Sequence, residues 1–123
     1  TKSCGLMSSG RQGCTWQMNS TDAAPRDHPH LNHSVYYGSP GVAVFLAQLA
    51  AASGDKKWRT LADDALEHAR ASCNNTIRAY GSNVGLYYGT SGIAYALRAA
   101  GNSSTHAADY RSAADVFDAH MLD

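Results

Sequence analysis

The chain has little charge of either sign to spare. Its 10 basic and 10 acidic side chains cancel over 123 residues. A neutral chain offers no electrostatic footprint for nucleic acid or for an anionic membrane surface. It also lacks an apolar run long enough to cross a bilayer, and no segment resembles a signal peptide. Cysteine is scarce and odd in number: Cys4, Cys14 and Cys73, irregularly spaced. That count does not suggest a disulfide framework, and the expectation is three unpaired, reduced thiols. The first residue is Thr1 rather than Met, so the natural start, and any signal it carried, is expected to lie outside the chain. Against these absences stands an apolar fraction of 44%, ample for the core of one small domain.

What is present is a repeat. Val35-Tyr36-Tyr37-Gly38-Ser39-Pro40-Gly41-Val42-Ala43 and Leu86-Tyr87-Tyr88-Gly89-Thr90-Ser91-Gly92-Ile93-Ala94 begin 51 residues apart and are nearly the same sentence. Each leads into an apolar stretch with helical spacing. Val42, Phe45, Leu46, Leu49 and Ala50 fall on one face of a first helix. Pro40 suits its first turn, Ser39 is placed to cap it, and Gly54 to end it, with Asp55 opening the next turn. Trp58, Leu61, Ala62, Ala65, Leu66 and Ala69 make the apolar face of a second helix, with Arg59, Asp63, Asp64, Glu67 and Arg70 on its solvated side. Ile93, Ala96, Leu97 and Ala100 mark a third helix, about one turn shorter than the first, ended by Gly101. Tyr110, Ala113, Ala114, Phe117 and Met121 mark a fourth. Short connections make each successive pair an antiparallel hairpin.

The reading is therefore all-α: an irregular lead-in over residues 1–34, then two helical hairpins over 35–123, spanning 35–72 and 86–122. The lead-in carries Cys4, Cys14, His28, His30 and His33, but no zinc-type spacing, and reads as a solvated loop. Four Asn-x-Ser/Thr sequons, at Asn19, Asn32, Asn74 and Asn102, would be glycan acceptors in a secreted chain, and are otherwise as expected by chance in a Ser/Asn-rich sequence.

The candidate site residues are the repeated turns. Gly38, Gly41, Gly89 and Gly92 flank two helix starts. A phosphate loop would want a preceding strand and a Gly-Lys-Ser/Thr ending, and neither is present. The repetition favours close packing and left-handed turns over an anion site. Tyr36, Tyr37, Tyr87 and Tyr88 either plug the space between hairpins or line a cavity at the helix starts.

The run Val35 to Leu46, its continuation Gly54-Asp55-Lys56-Lys57-Trp58 and the second copy from Leu86 to Leu97 resemble the repeats of the lanthionine synthetase C-like family, closer to its eukaryotic-type members. The resemblance implies an α/α toroid, of which these would be the N-terminal hairpins. It implies thioether formation: zinc holds a cysteine or glutathione thiolate for addition to dehydrated serine or threonine, with a histidine protonating the enolate that results. It implies a cytoplasmic protein acting on a peptide or on glutathione. The family's zinc ligands include a Cys-His-Gly motif, which this chain lacks. No catalytic or metal-binding residue carries over, and His68, His106 and His120 read as surface residues. The segment is then expected to be inactive by itself, with zinc bound in the missing part. Two hairpins of a repeat array leave open faces, so the isolated segment is expected to be marginal or to self-associate. Two alternatives remain: a non-catalytic peptide- or protein-binding α/α scaffold, and a carbohydrate-active α/α toroid. The latter would need paired carboxylates on an inner rim, which adjacent Asp63 and Asp64, or Asp109, Asp115 and Asp118 on an outer face, do not supply.

Overall fold

A computed structural model describes residues 2–7, 9–16, 38–71 and 90–122. Those residues form strands β1 (Lys2–Leu6) and β2 (Gln12–Trp16) and helices α1 (Ser39–Ser53), α2 (Lys56–Ala71), α3 (Thr90–Gly101) and α4 (Ala107–Leu122). The all-α reading holds for the body of the chain. Four helices carry the core, and one small two-stranded sheet is added to them.

Glycine and proline punctuation sets the helix ends as the sequence suggests. Pro40 lies in the first turn of α1, where its missing N–H is not needed. Gly54 ends that helix with φ 71°, a left-handed conformation that glycine adopts without a Cβ clash, and its N–H donates to the Ala50 carbonyl at 2.9 Å. The Asp55 carboxylate then accepts the Lys57 N–H at 3.0 Å and opens α2. With so short a connection α1 and α2 pack on each other, as do α3 and α4, and α1 also lies against α3. α3 has 12 residues to the 15 of α1, the expected one-turn difference.

The core is built mostly of small residues. Ala43, Ala65, Ala94, Ala100 and Ala114 are buried in it, and the space between helices is filled by Leu66, Ile93, Leu97, Tyr110 and Phe117. Small residues let the helices approach closely. A Cβ on Gly101 would stand 2.8 Å from Cβ of Tyr110, so the α3–α4 hairpin closes directly on that glycine.

Four expectations are corrected. The described part of the 1–34 lead-in is not irregular: β1 and β2 pair antiparallel, with Cys4 opposite Cys14 and Gly5 opposite Gly13. Gly10, at φ 85°, turns the hairpin, and its N–H donates to the Met7 carbonyl at 2.9 Å. Cys4 and Cys14 are not free thiols but a disulfide. Glu67 is not on a solvated face; it is 1% exposed, because the hairpin packs over α2. Phe45, placed on the apolar face of α1 by its spacing, is 61% exposed. The buried side of α1 runs instead through Ser39, Pro40, Ala43 and Leu46. The His28, His30 and His33 tract and Cys73 lie outside the described residues.

Candidate functional site: the helix starts and the carboxylate beneath the hairpin

The start of α1 is closed rather than open. Gly38 precedes the helix in an extended conformation, φ −124° and ψ 177°, and no side chain caps the helix. Ser39 is already within it. Its hydroxyl donates instead to Thr15 Oγ1 of β2 at 3.0 Å, in a buried contact. Ser39 and Pro40 are both fully buried. Gly41 and Gly92 lie inside the first turns of α1 and α3, with Gly92 and Thr90 buried. None of Gly38, Gly41 and Gly92 has positive φ; among the described residues Gly10 and Gly54 do. The left-handed freedom expected of the repeated turns is therefore not what Gly38, Gly41 and Gly92 supply. Gly89, Tyr36, Tyr37, Tyr87 and Tyr88 lie outside the described residues.

Under the same hairpin lies a group that the sequence does not announce. Arg11 reaches back from the hairpin turn and donates through Nη2 to both carboxylate oxygens of Glu67, at 3.2 and 3.0 Å. Arg70, one turn along α2, donates through Nε to the same carboxylate. A charge taken fully out of water is tolerable only when paired and hydrogen-bonded, and Glu67 has two guanidiniums to pair with. Ser9 adds a weak contact at 3.4 Å. The other arm of Arg11, Nη1, donates to Asp109 of α4 at 2.9 Å, and its guanidinium stands 5.9 Å from the Tyr110 ring centre. One arginine thus bridges the hairpin, α2 and α4.

Two further contacts seat the assembly. Gln12 donates to Asp64 at 3.1 Å. The Tyr110 hydroxyl donates to the Asp63 carbonyl at 3.3 Å. Burial, reinforced by the negative charges of Asp63 and Glu67, pushes the Tyr110 phenol well above its usual range, so it stays a neutral donor. His106 lies in the α3–α4 connection, where its N–H donates to Ser104 Oγ at 3.0 Å, and His68 is half-buried on α2. Asp109, Asp115 and Asp118 are tied to Arg11 and Arg98 as ion pairs rather than to one another.

Chemically the arrangement is a clamp. Its carboxylate is neutralised from two sides, and no nucleophile stands beside a free base in it. Among the described residues no group of three or more His, Cys, Asp or Glu is placed to hold a metal ion.

The clamp has a pH signature. The hydrogen bond from Arg11 holds the Asp109 carboxyl below its ordinary 3.8, against a smaller opposing effect of burial. A depressed pKa means that this contribution is present above the unfolded value and is lost as pH falls through the folded one. Asp64 runs the other way. Burial raises it above 3.8, against the hydrogen bond from Gln12, so its contribution turns favourable as pH falls through the raised value. Urea midpoints taken from pH 6 down to pH 2 are expected to fall less steeply at the acid end in Asp109→Asn than in the parent chain. Equal acid limbs would break the link between Asp109 and Arg11.

The family model described as lanthionine synthetase C-like protein matches residues 29–122. That span takes in all four helices and both copies of the repeated turn. No curated protein and no solved structure gave a significant match.

Proposed function

We propose that this chain, which belongs to the lanthionine synthetase C-like family, is the N-terminal part of a toroidal protein that joins a thiol to dehydroamino acid residues as a thioether. One observation carries the reading: two helical hairpins, each preceded in sequence by a Gly-x-x-Gly motif, pack through their first helices within the matched span 29–122. In this reading the chain builds part of the ring wall. Its repeated turns are architecture, since Ser39, Pro40, Thr90 and Gly92 are buried rather than open to a ligand. Peptide or glutathione is the thiol substrate of the whole protein, and the protein works in the cytoplasm.

Zinc would supply thiolate stabilisation near neutral pH in such a protein. The described residues do not fit it. Cys4 and Cys14 are consumed as a disulfide, and no cluster of ligands stands elsewhere among the described residues. No step is therefore assigned here to zinc, and this segment is inactive alone.

The test uses the full-length gene product that carries this segment, incubated with zinc, glutathione and a dehydroalanine-containing peptide, with mass spectrometry as the readout. A glutathione thioether from the full-length protein and none from residues 1–123 is the expected result. Retention of the peptide without adduct would replace the enzyme reading with that of a binding scaffold. Adduct formation by the 123-residue chain itself would sink the claim that it is only ring wall.

A further inference from the structure

We propose that the Cys4–Cys14 bond is a redox-operated clasp that decides whether the β-hairpin stays docked on α2 and on the start of α1. The bond joins facing positions of two paired strands. Its two ends differ in surroundings. Cys4 sits on the outer strand and is exposed, whereas Cys14 is fully buried against the helices. A small thiolate can therefore approach from the Cys4 side.

The hairpin needs the bond more than the helices do. A lone two-stranded hairpin is marginal in water. This one docks through β2, whose Gly13, Cys14 and Thr15 are buried, and through polar contacts that include Arg11 on Glu67 and Asp109, Ser9 on Glu67, Gln12 on Asp64, and Ser39 on Thr15. β1 contributes little to the interior, and its Leu6 is 79% exposed. The core cluster is made by helix residues, and among the described hairpin residues Trp16, half-buried, packs against it. Opening the hairpin thus leaves the helical core in place, while it uncovers Glu67 and the Ser39 turn.

The chemistry balances as ordinary thiol–disulfide exchange. A small thiolate attacks Sγ of Cys4, the cystine bond breaks, and a mixed disulfide forms at Cys4. Cys14 leaves as a thiolate and takes up a proton. A second small thiolate attacks the small-molecule sulfur of the mixed disulfide and releases the Cys4 thiolate, which is protonated in turn. Two small thiols are oxidised to one disulfide, and the cystine is reduced. Oxidation by a small disulfide is the reverse. In a reducing compartment such a bond is of the transient, redox-sensing kind. The two cysteines are 10 residues apart, and the chain freedom regained on opening so short a loop weakens docking roughly 100-fold.

The experiment equilibrates the full-length gene product that carries this segment in oxidised or reduced dithiothreitol. Thiol alkylation with peptide mapping reads the pairing, the rate of tryptic cleavage after Arg11 reads docking, and far-ultraviolet circular dichroism reads the helices. The expected result is that reduction speeds cleavage after Arg11 by roughly 100-fold, leaves helical signal unchanged and is reversed on reoxidation. The Cys4→Ser/Cys14→Ser variant is expected to be cleaved fast in both buffers. Three outcomes overturn the clasp. Unchanged cleavage in reduced protein means that the hairpin docks without the bond. Loss of helical signal, on reduction or in the double variant, means that the bond staples the whole fold. Pairing of either cysteine with Cys73, or none at all in the oxidising buffer, removes the switch itself.

Discussion

Removing both guanidiniums from Glu67, in Arg11→Ala/Arg70→Ala, is expected to lower stability by about 4 kcal/mol, more than the sum of the two single substitutions at about 1–1.5 kcal/mol each. The asymmetry follows from exposure. Arg11 and Arg70 keep 26% and 23% of their side-chain surface in water, whereas Glu67 keeps 1%. Either arginine alone still answers the carboxylate. The single variants therefore lose a charged hydrogen bond and some packing of the arginine stem. The double variant leaves a carboxylate buried with no cation beside it, which is the expensive case. Local opening sets a ceiling on the effect, because the hairpin can lift away and let water reach Glu67. For that reason the estimate stays near the middle of the range for a broken buried pair rather than above it. A double-mutant cycle by urea denaturation reads the coupling. Strict additivity would mean that the two arginines do not share the carboxylate in solution.

The same carboxylate shows where sequence reading stops. The four helices were legible because each needs only local information: apolar residues three and four apart, proline in a first turn, glycine at an end. Even the shorter third helix could be read from the distance between glycines. Glu67 could not be read in this way. On α2 it falls among Asp63, Asp64 and Arg70, where a charge is ordinarily solvated, and only a segment more than 50 residues away buries it. The hairpin was equally silent. Lys2-Ser3-Cys4-Gly5-Leu6 has no apolar alternation, and an odd cysteine count argued against pairing. A weak signal existed in the mirrored order Cys4-Gly5 and Gly13-Cys14 about a Ser9-Gly10 turn, which places like residues opposite one another across a hairpin. Phe45 fails for a related reason. Helical period says that it shares a face with Leu46 and Leu49, but not which flank of that face the neighbouring helices cover. Of the candidate site, Gly38, Gly41 and Gly92 lie at helix starts, without the positive φ supposed for them. The Ser39–Thr15 bond at the first of those starts and the arginine clamp on Glu67 came from long-range contacts alone.

Phe117→Ala is expected to cost about 4 kcal/mol, nearly all the net stability that a small domain commonly has. The reason lies in what surrounds the ring. Phe117 is fully buried, and its cluster is dominated by alanines: Ala43, Ala65, Ala94, Ala100, Ala113 and Ala114. When a large side chain is removed, the cost depends on how far the neighbours can collapse into the space. Alanine has no rotamer to move, and the backbones are already in close approach, as the contact between Gly101 and Tyr110 shows. Among the buried members of the cluster, Leu66, Ile93, Leu97 and Tyr110 have reach, and Tyr110 is held in place by its bond to the Asp63 carbonyl. The cavity therefore stays open, and the loss stays at the middle of the range for a deleted aromatic ring rather than at its low end. The adjacent residue gives the control. Val116 is 46% exposed on the same helix, and Val116→Ala is expected to change stability by no more than about 0.5 kcal/mol. Thermal and urea unfolding of the two variants separate the cases. A similar small loss in both would mean that α4 packs on the other helices far more loosely than its buried ring implies.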